Sequence, residues 1–101
     1  MEKLITETML IASEKFQNFG FKKEQIEQLL TSGKRDLEEE SEKLKILLDE
    51  RTPDIEKINQ SLHALKGLLY NLGNMEAGDI MADLKNNLDT AKQIEKIKKI
   101  L

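Results

Sequence analysis

Apolar residues recur along the chain at intervals of three and four, the repeat that lines one face of an α-helix. Ile5, Met9, Ala12, Phe16 and Phe19 form the first such stripe, and Gly20 follows it as a C-terminal stop. The pattern resumes after Lys22 with Ile26, Leu30, Gly33, Leu37, Ser41, Leu44 and Leu48. Gly33 is either a small member of a continuous stripe or a break in the helix. Thr52-Pro53-Asp54 reads as a helix start, with Thr52 as N-cap, Pro53 in the first helical position and Asp54 against the positive end of the dipole. Ile55, Ile58, Leu62, Leu65, Leu69 and Leu72 give the stripe of that third helix, which Leu72-Gly73-Asn74 ends. A fourth stripe runs from Met75 through Ala77, Met81, Leu84, Leu88, Ala91, Ile94 and Ile97 to Leu101, with a bend expected near Asp89-Thr90.

The pattern predicts helices over 1–20, 22–50, 53–73 and 75–101 and offers no strand. Each helix has one stripe to hide, and short connections make neighbours run in opposite directions. The expected fold class is therefore all-α: an antiparallel four-helix bundle spanning 1–101 as a single domain. Every stripe can be satisfied inside one such bundle, so a monomer is expected.

Composition narrows the function classes. No apolar run approaches the roughly 20 residues a membrane span needs, and the first residues are not followed by a signal-type apolar stretch, so no membrane insertion and a cytoplasmic location are expected. Cysteine is absent and histidine occurs once, which removes disulfides, thiolate metal sites and His-rich metal sites; no metal ligands are assigned. The net charge of −3 comes from 16 basic and 19 acidic residues that are well mixed, which favours a protein partner over nucleic acid. The acidic run Asp36, Glu38, Glu39, Glu40 and Glu42 reads as a solvated helix face, and Lys92, Lys96, Lys98 and Lys99 suit the negative end of the last helix.

Candidate chemistry concentrates in the third helix. His63 follows core residue Leu62 and so lies at the edge of the buried stripe. At about 100° per residue, Asn59, Gly67 and Tyr70 fall within roughly 40° of His63 and Lys66 within roughly 60°. A glycine inside a helix costs about 1 kcal/mol relative to alanine, and Gly67 lies outside the apolar stripe, so close internal packing does not account for it. An imidazole nitrogen is a competent nucleophile at neutral pH, and a neighbouring ammonium can neutralise the oxygens of an arriving phosphoryl group.

His63-Ala64-Leu65-Lys66-Gly67, followed by Asn71-Leu72-Gly73, resembles the signature of the histidine-containing phosphotransfer (HPt) domains of two-component phosphorelays. That family's pattern is His-x-Leu-Lys-Gly with a second glycine ten residues after the histidine, here Gly73. The specific match covers His63 to about Leu84, and the expected bundle agrees with the family's architecture over most of the rest. The resemblance implies a phosphoryl carrier without independent catalytic activity. His63 would be the phosphorylation site, taking the group from the aspartate of one receiver domain and passing it to another. Lys66 would stabilise the phosphoryl group, Gly67 would admit the receiver's active site, and Gly73 would serve the turn between the hairpin helices. The implied partners are response-regulator receiver domains and a hybrid sensor histidine kinase. No cofactor is implied for this chain, since the receiver supplies Mg²⁺.

Two departures from the family stand out. Small residues usually follow the Lys-Gly pair, whereas this chain has Leu68, Leu69 and Tyr70. Tyr70 either forms part of a receiver-docking surface with Asn59 and Gly67 or partly obstructs it. Where many members carry an acidic residue in the following helix, this chain has Lys85, which would add positive charge near His63. The competing readings are a silent docking module that binds a receiver or another protein without taking phosphate, and a plain helical interaction protein. The first leaves His63 and Lys66 idle, and the second leaves Gly67 unexplained.

Overall fold

The computed structural model describes residues 1–86 and 91–100, and these form an all-α bundle of helices α1 (Glu2–Asn18), α2 (Lys23–Leu48), α3 (Ile55–Asn71), α4 (Met75–Asn86) and α5 (Ala91–Ile100). The 26 residues of α2 set the length of the molecule: at about 1.5 Å per residue they span most of its 46 Å long axis. Helix α3 packs between α2 and α4, α1 lies along α2, and α5 also rests on α2. Among the described residues no helix is long and apolar enough to cross a membrane.

The core follows the stripes. Ile5, Ala12, Phe16, Ile26, Leu37, Leu44 and Leu48 are buried on α1 and α2, and Ile58, Leu62, Leu65 and Leu69 are wholly buried on α3. Full burial of each such aliphatic side chain contributes roughly 1.5–3 kcal/mol. Gly33 belongs to the stripe and does not break α2. The Leu72 side chain sits where its Cβ would be, with a methyl carbon 2.8 Å from that point. The long α2 thus carries a notch that receives the end of α3.

Three expectations need correction. Phe19 is not in the core: α1 ends at Asn18, and Phe19 is 68% exposed, tilted against Phe21 and lying under the Lys15 ammonium. Met75, the first residue of the fourth stripe, is exposed as well, while buried Thr8 takes a place that hydrophobicity alone does not assign. Helix α3 begins two residues later than the proline suggests, because Asp54 rather than Thr52 is the N-cap and its carboxylate accepts the Lys57 N–H at 3.2 Å. The segment from Met75 onwards is described as α4 and α5, with residues 87–90 between them outside the described residues. The bend expected at Asp89-Thr90 and the core position of Leu88 lie outside the described residues.

Both tight turns depend on glycine in the left-handed region. Gly20 (φ 80°) closes α1 and Gly73 (φ 92°) joins α3 to α4. Beside Gly73, Asn74 accepts the Ala77 N–H through its side-chain oxygen and donates to Thr8 Oγ1 at 2.8 Å. Thr8 donates in turn to the Leu4 carbonyl at 2.7 Å. A buried polar chain therefore caps α4 and ties the α3–α4 turn to α1.

Candidate functional site

Helix α3 has two flanks packed on neighbours and one face left outward. The flank with Ser61 and Leu68 meets α2, where Ser61 Oγ donates to Glu40 Oε1 at 2.8 Å. The flank with Tyr70 meets α4. Between them His63 is exposed and Asn59, Lys66 and Gly67 are partly buried on the same side of the helix. His63 and Lys66 make no hydrogen bond or ion pair among the described residues, so the imidazole and the ammonium are free to act on something arriving from solvent.

Side chains on a helix lean toward its N-terminus, so the residue one turn after His63 is the one whose side chain would lie over the imidazole. That residue is Gly67. A Cβ built there meets nothing within 4 Å, in contrast to Gly33 under Leu72 and Gly78 under Tyr70. Gly67 therefore has no packing partner that excludes a side chain, yet it bears the cost of a mid-helix glycine. It opens a shallow groove beside His63, lined by Ala64, Leu68 and Asn71 of α3 and by Asp36, Glu39 and Glu40 of α2.

The acidic run is thus mostly a solvated face: Glu38, Glu39 and Glu42 are exposed and Asp36 and Glu40 half-buried, with Asp36, Glu39 and Glu40 walling the groove and Glu40 held by Ser61. Spacing contains a trace of this, since Asp36 and Glu40 immediately precede the buried stripe residues Leu37 and Ser41. What it lacks is the knowledge that α3 brings His63 to that side.

Tyr70 turns away from the groove. Its ring covers Gly78 of α4, where a Cβ would fall inside the ring's van der Waals surface, and its hydroxyl donates to Asp79 Oδ1 at 2.6 Å. The hydrogen bond to Asp79 raises the phenol's pKa above its ordinary value, helped by partial burial and by repulsion between the phenolate and the same carboxylate. The Tyr70–Gly78 contact also sets the register of the hairpin. Seven residues back along α3 stands His63 and seven forward along α4 stands Lys85, so antiparallel packing sets the two at about the same height. Lys85 is half-buried there.

The outer face of α3 is therefore electrically divided, with Lys66 and Lys85 toward α4 and three carboxylates toward α2. Gly73 stands apart from this face, in the turn against Ile11 and Lys15 of α1. Among the described residues no three His, Cys, Asp or Glu side chains come together as a metal site. What the arrangement offers is one accessible nucleophile, one ammonium beside it and open space above it. No protein-family model, curated protein or solved structure matches the chain.

Proposed function

We propose that this chain is a histidine phosphotransfer carrier of a two-component phosphorelay, holding a phosphoryl group on His63 between the aspartates of receiver domains. The observation that carries this reading is Gly67: an unpacked mid-helix glycine whose missing side chain is the one that would cover an exposed imidazole. A solvent-exposed histidine that serves only solubility gives no reason to keep the residue one turn after it bare.

In the proposed reaction a lone pair on the imidazole forms an N–P bond while the P–O bond of an aspartyl phosphate breaks and the carboxylate leaves with its electrons. Transfer onward is the reverse with a second receiver. Little covalent chemistry falls to the carrier in such a transfer; positioning and charge stabilisation dominate. Lys66 is available to neutralise the phosphoryl oxygens and Lys85 adds positive charge from α4, while the receiver brings Mg²⁺. Tyr70, turned onto Gly78, leaves the approach to His63 open.

The test is phosphate incorporation into the wild-type chain and His63→Gln from a phosphorylated receiver domain with Mg²⁺. Acid-labile, base-stable label that is lost in His63→Gln is the expected result. Label retained in the variant would move the acceptor elsewhere and end the assignment.

A further inference from the structure

Asn59 lies one turn before His63 on the same face of α3, and its side-chain oxygen Oδ1 is buried with no hydrogen-bond donor among the described residues. A buried carbonyl oxygen without a donor is costly, and such groups are rare enough in folded proteins to require an explanation. One turn on, His63 carries a ring N–H that makes no hydrogen bond among the described residues. Residues four apart on a helix are surface neighbours, and helical side chains lean toward the N-terminus, which from His63 is the direction of Asn59 and away from Gly67.

We infer that Asn59 is a positioning residue for His63, accepting the imidazole Nδ1–H through Oδ1 and so presenting Nε2 to solvent as the nucleophile. This rests on the phosphotransfer reading. A neutral imidazole has one N–H and one lone pair, and whatever accepts the N–H decides which nitrogen is left to react. With the proton on Nδ1, the Nε2 lone pair forms the N–P bond and the donor's bond to phosphorus breaks, with its electron pair leaving on the donor group. No proton has to move. The ring becomes cationic in this step, and the Nδ1–H bond to Oδ1 strengthens as it does, because hydrogen bonds from charged donors are the stronger ones.

Phosphoramidate, a small donor whose P–N bond breaks to release ammonia, separates this inference from the question of which receiver docks. The variants are Asn59→Leu, which keeps the size and removes the acceptor, and Asn59→Asp, which keeps an acceptor oxygen. Imidazole ¹⁵N shifts report the tautomer directly and would not respond to a purely structural role. We expect the wild type to hold the proton on Nδ1 and Asn59→Asp to keep it there. Asn59→Leu should give a tautomer mixture and label about tenfold more slowly, with thermal stability no lower, a factor equivalent to ~1.4 kcal/mol.

An unchanged tautomer and rate in Asn59→Leu would overturn the inference while leaving His63 as the acceptor, and would assign Oδ1 to water or to Lys85. If His63→Gln shows no loss of label with either phosphoramidate or a phosphorylated receiver, the phosphotransfer reading itself fails and the role of Asn59 falls with it.

Discussion

On the proposed phosphotransfer function, replacing Gly67 with alanine should make the protein more stable and a worse carrier, a combination that separates clearance from structure. A Cβ at this position meets nothing within 4 Å, so alanine introduces no clash. It removes the entropic cost of glycine in a helix interior, a gain of about 0.8–1.0 kcal/mol. In a domain of this size ~1 kcal/mol corresponds to a rise of roughly 4–8 °C in melting temperature. Phosphoryl transfer from a receiver should nevertheless slow, and Gly67→Leu should slow it further, because the longer side chain leans back over His63. Thermal melts by circular dichroism and transfer rates measured on the same preparations decide the matter. A lower melting temperature for Gly67→Ala would mean that the glycine answers a packing demand. Transfer by Gly67→Leu at the wild-type rate would mean that nothing large needs to approach His63 there, and the site would lose its main support.

The other glycine on this side of the molecule should behave in the opposite way. Gly78→Ala drives a Cβ into the Tyr70 ring and should cost about 1–3 kcal/mol, as overpacking does, with most of the loss cancelled in the Tyr70→Ala background; equal losses in both backgrounds would disprove the contact. Tyr70 itself predicts a pH dependence. Its phenol titrates above the unfolded value because the neutral hydroxyl donates to Asp79, so its contribution is fully present below about pH 10 and is lost as pH rises through the raised folded value. The stability advantage of wild type over Tyr70→Phe in denaturant titrations should therefore narrow above about pH 10, and a constant difference would show that the hydrogen bond contributes nothing.

The all-α class, most of the core stripes and the two glycine turns were legible because each depends on local spacing. Leu62, Leu65 and Leu69 are buried wherever this stripe is folded against anything at all. The same spacing argument places Asn59, Lys66 and Gly67 beside His63, since all four share one helix. The misreadings share a different cause. Thr52-Pro53 looked like a helix start because proline suits that position, but the stronger cap, Asp54, stands next to the first residue of the stripe. Phe19 fitted the period, yet periodicity does not say where a helix stops. Thr8 is buried because Asn74 reaches it, a partner 66 residues away that no local pattern can identify.

Tyr70 shows how the same limit bears on function. By angle alone it belongs to the His63 face, and a large ring two turns from a nucleophile has to be read as either a contact or an obstacle. Angle describes where a side chain leaves the helix, not where it ends. In the folded chain Gly78 provides a surface with no Cβ and Asp79 provides an acceptor 2.6 Å from the hydroxyl, and both are on the opposite helix of the hairpin. The bulk of Tyr70 on α3 is thus matched by an absence of bulk on α4. Changing either residue alone upsets the fit, whereas changing both together need not. The open approach to His63 consequently depends on two glycines of different kinds: Gly67, which leaves space for a visitor, and Gly78, which gives Tyr70 somewhere else to go.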